Sequence, residues 1–181
     1  MQVKLGINAG FAINRFPEPE VWIRVVGEEL GLRYVQFVAD LLNPFLPYRV
    51  VRSQVDKILN LSEKYNVKMD TTFTSMFTRV NHLMHPDPIM RDAWFQWFKD
   101  FILMSLELGV RGVGSHFGIM SVTDLEDDER RESVTRSAIE LWQKLSEFAL
   151  ESGLEFLMFE PMSIPREMAC TLKETRELYD R

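Results

Sequence analysis

The chain has 181 residues, a length that suits one domain better than two. Hydrophobic residues make up 46% and charged residues 27%, a mix that excludes a disordered or fibrous chain. The net charge of -6 argues against a surface that coats nucleic acid. The one cysteine, Cys170, excludes an internal disulfide and a cysteine-rich zinc site.

No segment has the pattern of a membrane or export signal. The apolar part of the N-terminal segment is too short for a signal peptide, and no run approaches the ~18 apolar residues of a membrane-spanning helix. The single cysteine is typical of a reducing compartment. We therefore expect a cytoplasmic protein that has neither a membrane nor a nucleic acid as its partner.

A unit of amphipathic helix, Gly or Asn turn and apolar strand recurs along the chain. The predicted strands are residues 3–9, 33–39, 67–74, 111–117 and 154–160. The predicted helices are residues 18–31, 48–65, 89–108, 127–152 and 171–180. A Gly or Asn directly after a helix is typical of a left-handed C-terminal cap. Short apolar strands with little alternation indicate a parallel sheet that helices cover.

Alternating strands and helices leave two architectures open, a doubly wound open sheet and a (β/α)8 barrel. The turn after the first predicted strand lacks the G-x-G-x-x-G fingerprint, so a dinucleotide-binding fold has little support. Both architectures place their active sites at the carboxyl ends of the strands.

Polar residues lie within, at the end of or directly after each predicted strand. They are Asn8, Gln36 with Asp40, the threonines 71, 72 and 74, Ser115 with His116, and Glu160. Glu160 follows a mostly apolar strand, where a carboxylate is costly unless it is paired or binds a metal. The set predicts a functional site. The alternatives are that Glu160 is a structural or solvated carboxylate, and that His116 is a core histidine bonded to the backbone.

Two further groups of reactive side chains have weaker support. His82 and His85 are three residues apart, and two imidazoles on one turn are able to bind zinc. Pro86 and Pro88 disfavour helical geometry there, which favours simple loop packing. Cys170 has no obvious histidine partner nearby in sequence, so a nucleophilic role is disfavoured.

Three segments, KLGIN at 4–8, LGVRGVGSHFG at 108–118 and LMFEPM at 157–162, resemble the xylose-isomerase-like TIM-barrel family of sugar and sugar-phosphate isomerases and epimerases. The loop after the third strand, with Arg79, Asn81 and HPDP at 85–88, resembles the subgroup acting on short ketose phosphates, such as the tetrulose-phosphate racemases or epimerases. The resemblance implies an incomplete parallel (β/α) TIM barrel of about five βα units. Residues 1–181 would be a single N-terminal portion of that barrel.

The resemblance also implies a chemistry. A proton would move next to a ketose carbonyl through an ene-diolate, assisted by a divalent metal such as Mn, Mg, Co or Zn. Glu160 is the implied catalytic carboxylate and metal ligand, with most other ligands expected from strands absent in this chain. His116 is the implied donor beside it. The implied substrate-binding residues, for a sugar or sugar phosphate, are Asn8, Gln36, Thr72, Arg79, Asn81 and Arg166.

Two other classes of function stay open. One is a metal-dependent hydrolase of the AP endonuclease branch, which the three histidines and the net charge of -6 disfavour. The other is an incomplete, catalytically inactive barrel that needs the missing strands or self-association. Open sheet edges invite pairing with another chain, so a homo-oligomer through these edges is the expected assembly.

Overall fold

The computed structural model describes residues 3–181 and contains one sheet of five parallel strands. The strands are β1 (Gly6–Asn8), β2 (Tyr34–Val38), β3 (Lys68–Phe73), β4 (Gly112–His116) and β5 (Phe156–Glu160). Each lies within its predicted range and is shorter by two to four residues, because the ends of the predicted apolar runs belong to turns.

The strands are arranged in the sheet in the same order as in the chain, β1-β2-β3-β4-β5. A doubly wound sheet reverses direction at a switch point and has its first strand inside the sheet. The sequential order is the one found in a (β/α) barrel, where each strand pairs with the next along the chain. The doubly wound alternative is therefore excluded, and the sheet is of the TIM-barrel type with five of the eight strands.

The six α-helices largely match the predicted ones. They are α1 (Pro19–Arg24), α2 (Tyr48–Tyr65), α3 (Pro88–Glu107), α4 (Val122–Glu126), α5 (Asp128–Glu151) and α6 (Leu172–Tyr179). The predicted helix 18–31 is interrupted, because α1 continues as a π-helix over Val25–Glu29, in which the Leu30 N–H donates to the Val25 carbonyl. The short helix α4 was not predicted.

Residues in the left-handed backbone conformation follow three of the helices, as expected. Asn66 follows α2 with φ 53°, and Gly109 and Gly153 follow α3 and α5 with φ 74° and 104°. Val67 N–H then donates to the carbonyl of Ser62, which satisfies one of the free carbonyls in the last turn of α2. These caps turn the chain directly into the next strand, so each strand begins at a fixed position relative to its helix.

The core lies between the sheet and the helices, and the other face of the sheet forms the barrel interior. Val35, Phe37 and Val113 belong to the buried cluster on the helix side. On the interior face, a Cβ at Gly112 would lie 2.1 Å from the Phe156 ring, and one at Gly114 would lie 2.6 Å from the Phe73 ring. The two glycines therefore make room for the rings of the neighbouring strands.

Candidate active site

A cavity of about 480 Å³ lies at the carboxyl ends of the strands. Five of the eight residues proposed for the site line it, and each comes from a different strand or from the loop after it: Asn8, Gln36, Arg79, His116 and Glu160. Apolar side chains, among them Phe73, Met76 and Met158, line the rest of its wall. The parallel sheet brings these residues together because all its strands end at the same edge.

Amide side chains form one wall of this cavity. The Asn8 amide donates to the Gln36 carbonyl oxygen at 2.7 Å, and the Gln36 amide donates to the Thr71 hydroxyl at 3.3 Å. The Asn8 carbonyl oxygen in turn accepts from the Gly10 backbone N–H at 2.7 Å. These three hydrogen bonds fix the orientation of both side-chain amides before a ligand binds.

Glu160 is the last residue of β5, and it is exposed. Its register partner on β4 is His116. Within residues 3–181 it has neither a hydrogen bond nor an ion pair, so it is not a satisfied structural carboxylate. Its exposure agrees with the alternative of a solvated carboxylate, because β5 has one strand neighbour within residues 3–181 and its five residues are all partly or fully exposed.

His116 is only 3% exposed, and its ring centroid lies 4.6 Å from that of His82. Burial lowers the pKa of His116 below its usual value, and a hydrogen bond to the backbone of Val80 acts in the opposite direction. Burial also lowers the pKa of His82 well below its usual value, with the adjacent His116 adding to the effect. Both rings are therefore neutral near pH 7.

Arg79, Asn81 and Arg166 hold the loops at the rim together. Arg79 donates from Nε and Nη2 to the two carboxylate oxygens of Glu167, each at 3.2 Å, and so joins the loops after β3 and β5. Asn81 donates to the Ile119 carbonyl at 2.7 Å, and Arg166 donates to the Met120 carbonyl at 3.1 Å. Only Arg79 also lines the cavity.

Thr72 lies away from the cavity. It is fully buried, and its hydroxyl is 2.8 Å from that of Ser105 on α3. An irregularity in the pairing of β2 with β3 causes this orientation, because Val35 pairs with Met69 whereas Gln36 pairs with Thr71. Thr71 is thus the threonine that reaches the amide chain, and a count of alternating residues could not locate the irregularity.

The described residues contain no group of three or more histidine, cysteine or acidic side chains able to hold a metal ion. His85 does not join His82, because its Nδ1 accepts from the Asp87 N–H at 3.0 Å instead. The Cys170 thiol donates to Glu174 at 3.1 Å, and this carboxylate raises the thiol pKa. A raised pKa disfavours the thiolate, so Cys170 has no features of a nucleophile.

The chain has relatives among named proteins. It is 33% identical to the D-erythrulose 1-phosphate 3-epimerase of Brucella abortus over 181 residues, which are 100% of this chain and 58% of the relative. A xylose-isomerase-like protein of Rhodospirillum rubrum has a TM-score of 0.91 at 28% identity, over 98% of this chain and 60% of that structure. No known protein-family model matches the chain.

Structures of lower sequence identity share the fold. The D-psicose 3-epimerase of Clostridium cellulolyticum has a TM-score of 0.75 at 17% identity, over 98% of this chain and 59% of that structure. At this identity the likeness concerns the fold alone. The resemblance to xylose-isomerase-like TIM-barrel proteins is confirmed, and the chain spans about three fifths of the length of the proteins it matches. No helix described within residues 3–181 has the length and apolar character needed to cross a membrane.

Proposed function

We propose that this chain supplies part of the active site of a sugar or sugar-phosphate epimerase or isomerase, which acts by proton transfer next to a ketose carbonyl. The observation that carries the proposal is the position of Glu160. Within residues 3–181 this carboxylate at the end of β5 is unpaired, and it faces a cavity whose other polar side chains are amide, imidazole, guanidinium and hydroxyl groups. This set combines one group able to accept a proton with several able to stabilise negative charge.

In the proposed reaction, Glu160 takes the proton from the carbon beside the carbonyl, and the resulting ene-diolate carries its negative charge on oxygen. The amide of Asn8 or Gln36 and the neutral ring of His116 are the donors proposed to stabilise this charge. Their orientation before the substrate arrives lowers the cost of reorganisation. A general base positioned in this way typically contributes about 100-fold to 10,000-fold to the rate.

Epimerisation also requires a proton to return to the opposite face of the ene-diolate. Within residues 3–181, Glu160 is the one carboxylate that lines the cavity, so the second acid would have to come from elsewhere in a complete barrel. Glu160 is one proposed ligand of a divalent metal, and the other ligands would also have to come from elsewhere in a complete barrel. When bound, Mn, Mg, Co or Zn would act as a Lewis acid toward the carbonyl and hydroxyl oxygens.

The substrate class is proposed from the Brucella abortus relative, whose name gives a four-carbon ketose phosphate. The full-length protein would be incubated in D2O with D-erythrulose 1-phosphate, with unphosphorylated D-erythrulose and with longer ketose phosphates, with Mn or Mg added. We expect NMR to show exchange of the proton on the carbon beside the carbonyl, fastest for the short phosphate. No exchange with any ketose would contradict the proposal.

A further inference from the structure

A row of polar side chains crosses three strands at the cavity, and its hydrogen bonds run in one direction. Asn8, Gln36 and Thr71 are register partners on β1, β2 and β3. At the β1 end, the Asn8 carbonyl oxygen accepts from the Gly10 backbone N–H at 2.7 Å. A backbone N–H only donates, so this bond identifies the oxygen of the Asn8 amide and turns the Asn8 nitrogen toward Gln36.

The orientation of the next amide follows from this first bond. The Asn8 nitrogen donates to the Gln36 carbonyl oxygen at 2.7 Å, and the Gln36 nitrogen then donates to the Thr71 hydroxyl at 3.3 Å. Both carbonyl oxygens are therefore engaged within the row. Each amide nitrogen carries two hydrogens, and each keeps one that has no acceptor among residues 3–181. Asn8 and Gln36 line the cavity, whereas Thr71 does not.

Gly10 is needed at its position for a steric reason. A Cβ added there would lie 2.8 Å from the Asn8 carbonyl oxygen, which is closer than a side-chain carbon normally approaches another atom. The backbone of Gly10 is not in the left-handed region, so its conformation alone does not require glycine. The missing side chain instead lets the Asn8 oxygen reach the Gly10 N–H.

The acceptor at the β3 end is determined by the irregular pairing of β2 with β3. Val35 pairs with Met69 and Gln36 pairs with Thr71, so Asp70 is passed over. With regular pairing, the Asp70 carboxylate would lie opposite Gln36. A carboxylate would also accept the Gln36 N–H, but it would add a negative charge next to the cavity. The irregularity therefore provides a neutral acceptor.

We propose that Gly10 and Thr71 are positioning residues, which direct the free N–H groups of Asn8 and Gln36 into the cavity to bind an oxyanion of the ligand. An oxyanion only accepts hydrogen bonds, whereas a sugar hydroxyl also donates one. Amides whose carbonyl oxygens are already engaged therefore favour the charged oxygen, and hydrogen bonds to charged groups are the stronger ones.

A ketose phosphate has two groups with this chemistry, the ene-diolate formed during proton transfer and the phosphate itself. The choice between them rests on the function proposed above, whereas the orientation of the amides does not. Neutron diffraction from crystals of the full-length protein exchanged into D2O measures this orientation directly. We expect the deuterons of Asn8 on the Gln36 side and those of Gln36 on the Thr71 side. A Gln36 carbonyl oxygen that faces Thr71 would overturn the proposal, whatever the activity of the protein.

Thr71→Val removes the acceptor that holds Gln36, and exchange kinetics in D2O with the full-length variant distinguish the two groups. If the amides bind the phosphate, we expect KM to rise about tenfold for D-erythrulose 1-phosphate and to stay unchanged for D-erythrulose. If they bind the ene-diolate, kcat should fall about tenfold for both substrates. Either result supports the proposal.

Inorganic phosphate provides a test that does not depend on catalysis. When the amides bind phosphate, its titration should shift the side-chain NH2 signals of Asn8 and Gln36 in NMR spectra of the wild-type protein. Unshifted signals together with unchanged KM and kcat in a folded Thr71→Val protein would overturn the proposal. If the wild-type protein shows no exchange, the proposed function fails and the phosphate titration alone decides this inference.

Three further variants test whether the two positioning residues are the cause. Thr71→Ser keeps a hydroxyl and should restore the wild-type constants. Gly10→Ala should reproduce the effect of Thr71→Val, because the added Cβ displaces the Asn8 oxygen. Thr123→Val, at an exposed threonine on α4, is the control and should change neither constant. A Thr71→Ser protein as impaired as Thr71→Val would contradict the role of the hydroxyl.

Discussion

Arg79 and Glu167 form a bidentate ion pair between two loops at the mouth of the cavity, with both N···O distances 3.2 Å. The Glu167 side chain is 5% exposed, whereas that of Arg79 is 51% exposed. The buried carboxylate therefore depends on one arginine that water also reaches. Nη1 of Arg79 has no hydrogen bond to the described residues, which leaves its two N–H groups for a ligand in the cavity.

Arg79→Ala should destabilise the protein, because it leaves a buried carboxylate without its partner. We expect the free energy of unfolding in urea to fall by about 1–3 kcal/mol, since water replaces only part of the lost interaction. Adding Glu167→Gln should recover part of this loss by removing the unpaired charge. Arg49→Ala, at an exposed arginine in the first turn of α2, is the control, and an equal effect there would contradict the assignment.

Thr72 and Thr71 are adjacent, and the structure gives them different roles. Thr72→Val leaves the buried Ser105 hydroxyl without its partner, so we expect a loss of about 1–3 kcal/mol in urea unfolding. Thr72→Val combined with Ser105→Ala should regain much of it. Thr71→Val removes the hydrogen bond from Gln36 and should affect ligand binding more than stability. If Thr72→Val instead weakened ligand binding more than it lowered stability, Thr72 would again be a substrate-binding residue.

The two buried histidines should make stability depend on pH. Because burial lowers the pKa of His82 and His116 in the folded state, the unfolded state binds protons first as the pH falls. The free energy of unfolding is therefore highest above ~6.5, the pKa of a histidine in the unfolded chain, and it decreases as the pH falls from 7 to 5. The slope is at most about 1.4 kcal/mol per pH unit for each ring. His82→Gln should flatten it in urea unfolding, and an unchanged slope would contradict this cause.

The sheet edges predict how the 181-residue chain behaves in isolation. All residues of β4 are buried, whereas all those of β5 are partly or fully exposed, because β5 has one strand neighbour within residues 3–181. We expect the isolated chain to self-associate in size-exclusion chromatography, increasingly with concentration. Met158→Lys, which adds a charge to the edge strand, should reduce this association. A monomer at all concentrations would contradict this prediction.

Repeating patterns in the sequence predicted more of the fold than of the site. The caps at Asn66 and Gly109 follow from local chemistry, so the strand and helix boundaries were predicted to within a few residues. Asn8, Gln36 and Glu160 meet at the cavity because parallel strands end together. The role of Thr72 depended on a local irregularity in strand pairing, and the contacts of Arg166 depend on how distant loops pack. Neither leaves a periodic signal in the sequence.

The proton-accepting role of Glu160 is tested most directly by Glu160→Gln in the full-length protein, measured as exchange of the proton beside the carbonyl of D-erythrulose 1-phosphate in D2O. Glu155→Gln is the matched control, because Glu155 directly precedes β5 at the opposite end and pairs with Arg111 on the surface. We predict that Glu160→Gln slows the exchange at least about 100-fold, whereas Glu155→Gln leaves it nearly unchanged. Exchange at a near-normal rate in a folded Glu160→Gln protein would contradict the proposed function.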